Sequence, residues 1–320
     1  YAIQWIRSGT ETSGRPEAFF ASVTKADLAR EARVNEIVAD NIVGWQEAGF
    51  VPDMRLEPGV ETNTPIRTRG WTYWHHLFGA RALLMFGMFR EIARPFDDGY
   101  FDIWLAKLTD YNSRLCRWLG DAGVDATSNT FYNQALNTVL NPASRSWIGL
   151  SSVSFTDGGR PKGGDDIAVN GCVNQQANVC ADLTITDPPY ADAVQYHEIS
   201  EYFIGWFRKN PPYVFQKWIW DSQRTEVIKG SGDDFRRDMA RAYKATADAM
   251  PENGSQIVMF THQDTRIWAD MARIFWAAGL KVTAAWYIAT ETTSGLKAGG
   301  YVQGTIILVL RKRAGDENAW

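Results

Sequence analysis

The segment TDPPYADAVQYHEISEYFIGWF, from Thr186 to Phe207, decides how the second half of the chain is interpreted. It follows a short apolar run and places an aspartate, two prolines and a tyrosine before a stretch with helical spacing. Each proline lacks an N–H group and fixes φ, so neither can continue a central strand. The residue before each proline is pushed towards an extended conformation. The segment therefore predicts a strand, a rigid corner and a helix over Val194–Lys209.

The regions on either side of this corner have different sequence patterns. Residues 1–145 carry apolar residues at helical spacing between prolines and glycines, and predict an all-helical region. Residues 146–320 alternate strand-like and helix-like segments, which is typical of a mostly parallel sheet of βαβ units. The last two strand-like segments, KVTAAWYIAT and TIILVLRKR, have no helix between them and predict an antiparallel pair. The predicted fold class is α/β with an N-terminal helical region.

Composition excludes several classes of protein. The 320 residues are 45% hydrophobic and 22% charged with a net charge of −4, which is ordinary for a globular protein. The chain as a whole lacks the basic signature of proteins held on nucleic acid by electrostatics alone. Its three cysteines show no CxxC spacing, which indicates a reducing compartment and predicts no zinc site. Arg81 interrupts the longest apolar stretch, so we expect no membrane span and a cytoplasmic location.

The corner offers three groups to a ligand. The carboxylate of Asp187 and the carbonyl of Pro188 are acceptors that no strand ladder uses, and Tyr190 adds an aromatic face. Ligands of parallel α/β sheets bind at the carboxyl ends of the strands, which is where Asp187 is expected. A planar ligand with an exocyclic amino group would stack on Tyr190 and donate to Asp187 and Pro188. If this planar ligand is a base of a nucleic-acid duplex, the base must first flip out of the duplex.

The motif Asp187-Pro188-Pro189-Tyr190 resembles the catalytic motif of the amino-group DNA methyltransferases, and its Asp form is typical of the adenine enzymes. Other segments, between about Ile66 and Arg313, are similar in order to a bacterial family of adenine-specific DNA methylases with a zinc-ribbon insertion. These segments are IRTRGWTYWHHLFGARALL, LTDYNSRLCRW, NTFYNQAL, ADLTITDPPYADAVQYHEISEYFIGWFRK and GLKVTAAWYIATET.

The resemblance implies a partial Rossmann-like class I methyltransferase sheet, mostly parallel with an antiparallel last strand. It implies S-adenosyl-L-methionine as the cofactor, in contact with Thr186, Asp187 and Pro188, and a flipped adenine of DNA as the substrate. In the family, a Gly-rich cofactor motif and the zinc-ribbon cysteines lie far upstream of the corner, and neither is found in this sequence. GLKAGG lies between the last two predicted strands, so it is rejected as a cofactor loop. We therefore expect the Gly-rich motif in an upstream part of the same polypeptide, and an incomplete cofactor pocket in this chain alone.

Residues near the corner are further candidates for ligand contacts. Tyr196 and His197, on the helix after the corner, are expected to line the base pocket, although His197 equally fits a surface position. The segment Thr261–Gln263 follows a predicted strand at the same edge of the sheet. A cap for the next helix explains that segment better than a ligand contact does.

Four arginines are candidates for contacts with DNA. Arg67 and Arg69, in a predicted loop, are expected to contact phosphates. Arg114 and Arg117 fit a DNA-facing patch and a solvated helix face equally well. No group of histidines shows a metal-binding pattern, and no metal is expected.

Adenine methylation, as carried out by a restriction-modification enzyme, is not the only activity that fits the chemistry of the corner. Another planar amine, of cytosine, of an RNA base or of a glutamine side chain, fits the same acceptors. A non-catalytic DNA-binding or scaffold subunit of a defence system could keep the same fold. Cofactor binding by the full-length protein separates the scaffold from the enzymes, and the identity of the methylated group separates the enzymes from one another.

Overall fold

A computed structural model gives the structure of the protein. It describes residues 4–8, 17–96, 99–119, 126–132, 135–136, 180–189, 195–225, 227–228, 232–289 and 304–315. The chain divides into two compact units. The first unit comprises Tyr1–Asp166 and Gln195–Ser222, and the second comprises Ile167–Val194 and Gln223–Trp320. The predicted boundary between residues 145 and 146 lies outside the described residues.

The first unit is built mainly of helices. They are α1 (Lys25–Glu47), α2 (Asn63–Arg69), α3 (Ala80–Ala93), α4 (Tyr100–Asn112), α5 (Tyr196–Ile199) and α6 (Glu201–Phe207). Helix α1 begins after Thr24, as its sequence predicts, because Thr24 and Asp27 exchange hydrogen bonds between side chain and backbone. A 3-10 turn, Trp74–Leu77, precedes α3. The core of the unit contains large side chains that are almost fully buried, among them Trp74, Leu77, Phe86, Tyr202 and Trp206.

The prediction of an all-helical region over residues 1–145 is wrong, because the first unit also contains strands. Antiparallel pairs form between β1 (Gln4–Ser8) and β2 (Glu17–Ala21), β3 (Trp118–Leu119) and β4 (Ala126–Thr127), and β5 (Phe131–Tyr132) and β6 (Ala135–Leu136). The segment NTFYNQAL was predicted as helix, but it contains β5 and β6. Short apolar runs fit either type of element, so spacing alone does not distinguish them.

Helix α4 also ends earlier than its apolar spacing predicts. The pattern continues to Trp118, whereas the helix ends at Asn112. Ser113 is extended, and its hydroxyl accepts a hydrogen bond from the backbone N–H of Leu115 at 3.1 Å. A serine side chain that bonds to the nearby backbone in this way offers an alternative to the helical ladder.

The second unit is a four-stranded mixed sheet with two long helices. Its elements are β7 (Leu183–Thr186), α7 (Asp233–Ala249), β8 (Ser255–Phe260), α8 (Thr265–Ala277), β9 (Leu280–Ala289) and β10 (Gly304–Lys312). The strand order is β7-β8-β10-β9. Strands β7 and β8 are parallel, whereas β10 is antiparallel to both β8 and β9. The predicted antiparallel pairing of the last two strands is therefore confirmed, and β7, β8 and β9 run in the same direction.

The two faces of this sheet differ in burial. On one face, Val258 and Phe260 of β8 and Leu308 of β10 belong to a core that the apolar sides of α7 and α8 complete. On the other face, Leu183 and Ile185 of β7 are 53% and 61% exposed. Alternate residues of a strand point to opposite faces, so the short strand β7 turns its aliphatic residues to the face opposite the core.

None of the helices in the described ranges combines the length and the apolar character that a membrane span requires.

Candidate functional site

The predicted corner lies at the carboxyl end of β7. The strand ends at Thr186, and Asp187, Pro188 and Pro189 follow it. The register pairs Thr186 with Val258 in parallel, so the carboxyl ends of β7 and β8 lie at the same edge of the sheet. The prolines end the strand here because they cannot donate to a ladder. Tyr190, the fourth residue of the motif, lies outside the described residues.

The two acceptors of the corner, Asp187 and Pro188, have no donor among the described residues. Asp187 is exposed and Pro188 is buried. Among the described residues, no donor forms a hydrogen bond or ion pair with the carboxylate of Asp187 or the carbonyl of Pro188. Backbone carbonyls in folded proteins are nearly always paired with protein or water. Two neighbouring acceptors with a fixed backbone and no donor among the described residues would suit a ligand that donates two hydrogen bonds.

A buried tyrosine of α7 lies near the corner. Tyr243 is only 5% exposed, and neither its hydroxyl nor that of Thr186 has a hydrogen-bond partner among the described residues. Burial raises the pKa of Tyr243 to about 12; the nearby Thr186 hydroxyl opposes this rise, and the negative charge of Asp187 adds to it. The phenol thus remains protonated at neutral pH. Among the described residues, the end of β7 therefore combines two buried hydroxyls close to each other, of Thr186 and Tyr243, with the acceptors Asp187 and Pro188.

The segment after β8 organises the start of α8. The Nδ1 atom of His262 accepts a hydrogen bond from the N–H of Asp264 at 2.9 Å, and its carbonyl accepts one from Nε1 of Trp268 at 2.8 Å. The N-cap itself is Asp264, whose carboxylate accepts from the N–H of Arg266 at 2.8 Å. His262 therefore supports the capping role that the sequence favours for Thr261–Gln263.

Tyr196 and His197 belong to the first unit. Tyr196, the first residue of α5, is 52% exposed. His197 is buried, and its Nε2 atom lies 3.9 Å from Oε1 of Glu198. The surface position considered for His197 is therefore wrong. The expected contacts of Tyr196 and His197 with a base stay predictions.

Arg67 and Arg69 are exposed, but they lie in the last turn of α2 rather than in a loop. Pro65 stands in the first turn of this helix, where the missing N–H has little cost. Gly70 ends the helix in the left-handed conformation, with φ of 67°. Both arginines thus lie at the negative end of the helix dipole, which favours their charge.

Glu198 is a prominent polar residue that the sequence did not reveal. Its side chain is buried, and its carboxylate accepts hydrogen bonds from the N–H groups of Val60 and Glu61, each at 2.9 Å. The N–H of Thr62 approaches the same carboxylate at 3.4 Å. These donors are 136 to 138 residues away in the chain, so no local pattern could have indicated them.

Within the described part of the chain, no three His, Cys, Asp or Glu side chains come together as metal ligands would. Cys116 is buried, and burial is the main cause that raises the pKa of its thiol. Cys180 is exposed, and Cys172 lies outside the described residues.

Comparison of the chain with protein-family models, with curated proteins and with solved structures gives no match in any of the three.

Proposed function

We propose that the protein is part of a DNA methyltransferase that uses S-adenosyl-L-methionine and methylates the exocyclic amine of a flipped adenine. The observation that carries this proposal is the pair of free acceptors after β7, the carboxylate of Asp187 and the carbonyl of Pro188. An exocyclic amino group carries two hydrogens, and the corner presents one acceptor for each. The sequence Asp187-Pro188-Pro189-Tyr190 is the motif expected from the resemblance to the amino-group DNA methyltransferases.

The chain's own residues would prepare the amine for transfer. The amine nitrogen of adenine is a poor nucleophile because its lone pair is conjugated with the ring. When Asp187 and Pro188 accept its two hydrogens, the lone pair is localised on nitrogen and directed away from the ring. The cofactor would supply an electrophilic methyl group. The nitrogen then gives up one proton, for which the carboxylate of Asp187 is the nearest acceptor, while Tyr190 holds the ring by stacking.

The strand order also supports the proposal. The resemblance implies a class I methyltransferase sheet, in which the last strand runs antiparallel to its neighbours. In this protein β10 lies between β8 and β9 and is antiparallel to both. The corner lies at the carboxyl end of β7, where open α/β sheets bind their ligands.

The residues present fit one side of a cofactor pocket. Thr186 has a buried hydroxyl without a hydrogen-bond partner among the described residues, and Asp187 and Pro188 add acceptors beside it. Among the described strands, β7 has a single neighbour, β8, and its residues Leu183 and Ile185 leave apolar surface exposed. An exposed strand edge is normally covered or paired. This supports a sheet that continues beyond β7 with a further strand.

The test is Asp187→Ala in the full-length protein, with tritium transfer from labelled cofactor to adenine-containing DNA as the assay. Loss of one directed electrostatic contact typically costs about 10²–10³ in rate. The loss falls on the transition state, so kcat should drop while cofactor affinity changes less. Asp182→Ala is the matched control, because Asp182 is an exposed aspartate at the opposite end of β7.

Three results would overturn the proposal. Methylation by Asp187→Ala at the wild-type rate would show that the corner is only a turn. Transfer to cytosine, to RNA or to a glutamine side chain instead of adenine would replace the proposed substrate by one of the other amines. DNA binding without transfer to any acceptor would favour the scaffold subunit.

A further inference from the structure

Arg114 is a half-buried cation for which the described residues provide no partner. It follows Ser113 at the end of α4, and its N–H donates to the carbonyl of Leu77 at 2.7 Å, which ties it to the 3-10 turn Trp74–Leu77. Its guanidinium makes no hydrogen bond, ion pair or ring contact within the described part of the chain. Burial lowers the pKa of Arg114, and no carboxylate acts in the opposite direction.

Arg90 shows how this unit treats an arginine that is almost fully buried. Its guanidinium donates to Asp102 at 3.1 Å and to the carbonyl of Asn210 at 2.8 Å. A charge that is removed from water without such partners is costly, so partners are the rule. Arg114 is less deeply buried than Arg90, but it also remains charged at neutral pH, and no described residue places an anion beside it.

His76 provides a second donor beside Arg114. Its Nδ1 atom accepts the N–H of Thr72 at 3.1 Å, so the neutral ring carries its proton on Nε2. Burial and then the positive charge of Arg114 lower the pKa of His76, which keeps the ring neutral at pH 7. Ring contacts with Tyr73 at 5.5 Å and His75 at 4.4 Å between centroids fix the imidazole in place.

We propose that the guanidinium of Arg114 and the Nε2–H of His76 together bind one phosphate group of the DNA backbone. Arginine beside a neutral N–H donor is suited to an oxyanion, and charge-assisted hydrogen bonds to phosphate are strong. Tyr73 borders the pair and carries Arg55 over its ring at 5.9 Å, which adds a second positive charge nearby. The identity of the anion as DNA rests on the proposed function, whereas free phosphate has the same chemistry.

The first experiment measures DNA binding by the full-length protein as a function of salt. Arg114→Gln should weaken binding by about tenfold and reduce the slope of log K against log salt by about 1. Arg33→Gln is the matched control, since Arg33 is an exposed arginine of the same unit that pairs with Glu36. Arg114→Lys keeps the charge and should restore part of the affinity, which separates anion binding from a packing role.

The second experiment follows the ring nitrogens of His76 by NMR during titration with inorganic phosphate or with a DNA duplex. A bound anion should raise the pKa of His76, and Arg114→Gln should abolish that rise. A response to phosphate with unchanged DNA affinity in Arg114→Gln would show a small-anion site and overturn the DNA contact. No response to either probe, with wild-type DNA affinity and salt slope in Arg114→Gln, would overturn the site itself.

These readouts separate this inference from the proposed function. If His76 and Arg114 respond to DNA but no methyl transfer occurs, the phosphate site stands and the methyltransferase proposal fails. If Asp187→Ala abolishes transfer while Arg114→Gln binds DNA as the wild type does, the phosphate site fails alone.

Discussion

Two carboxylates of the same sequence segment have opposite environments. Glu198, in the first unit, is buried, and three backbone N–H groups point at its oxygens. Asp187, in the second unit, is exposed, and no described residue donates a hydrogen bond to it. The same functional group is therefore structural in one region and available to a ligand in the other. The difference lies in the donors that the fold brings to each carboxylate.

Two buried tyrosines repeat this contrast. The hydroxyl of Tyr202, in the first unit, donates to the carbonyl of Thr109 at 2.6 Å and lies 3.3 Å from the hydroxyl of Thr130. The hydroxyl of Tyr243, in the second unit, is equally removed from solvent but has no hydrogen-bond partner in the described residues. Unsatisfied buried polar groups are uncommon in folded proteins and call for an explanation. Among the described residues, the hydroxyl at the end of β7 is therefore left unsatisfied, whereas that of Tyr202 is held in a hydrogen-bond network.

The largest expected effect on stability comes from Glu198→Ala. Removing the carboxylate takes away the acceptor of the N–H groups of Val60, Glu61 and Thr62, and a hydrogen bond to a charged group contributes about 1.5–3 kcal/mol. We expect the free energy of unfolding in urea to fall by about 3–4 kcal/mol. Asp187→Ala is the control and should change it by less than about 0.5 kcal/mol. Equal losses for the two variants would contradict the division into a structural and a ligand-binding carboxylate.

Gly59→Ala should give the next largest effect. A Cβ atom at residue 59 would meet the carboxylate of Glu198 far inside van der Waals contact, so that side chain would have to leave its position. Overpacking of this kind typically costs about 1–3 kcal/mol. Gly44→Ala is the matched control, because Gly44 lies exposed within α1 and nothing would be within 4 Å of its Cβ. It should instead stabilise the protein by about 0.5–1 kcal/mol. If Gly44→Ala lowered the stability as much as Gly59→Ala does, crowding at Glu198 would not be the cause of the loss at residue 59.

The smallest effects are expected from the tyrosines. Tyr202→Phe leaves the carbonyl of Thr109 without its donor and should cost about 1–1.5 kcal/mol. Tyr243→Phe removes a hydroxyl that has no partner in the described residues, so we expect no loss of stability or a slight gain. Thermal unfolding of both variants in parallel provides the measurement. A loss for Tyr243→Phe as large as that for Tyr202→Phe would mean that its hydroxyl has a structural partner after all.

Local patterns predicted the helices and strands of the second unit well, but not their pairing: the expected mostly parallel sheet is a mixed one, in which only β7 and β8 of the described strands form a parallel pair. The apolar side of α7 was predicted from the spacing of Phe235, Met239 and Tyr243, and all three are buried. The extent of β8 and the end of α8 before Gly279, whose φ is 77°, also follow from residues close in sequence. Each of these features depends on a few neighbouring residues, which is why the sequence alone could reveal them.

The first unit was predicted less well because its short strands and turns depend on distant contacts. The pairs β3–β4 and β5–β6 have only two residues in each strand, too few for a period to be recognised. Glu198 bonds to a turn that is more than 130 residues away in the chain. Neither feature leaves a signal in the nearby sequence.

The sequence by itself determined where the chain changes direction and which faces are apolar. Pro188 and Pro189 end β7 because they cannot donate to a ladder, and this holds in any tertiary context. Only the tertiary structure decided which polar groups acquire partners. It brought three N–H groups to Glu198, left Asp187 and Arg114 without partners among the described residues, and placed β10 between β8 and β9. Hydrogen bonds and ion pairs act over a few ångströms in space, so their partners are set by the packing of distant segments and not by the order of residues along the chain.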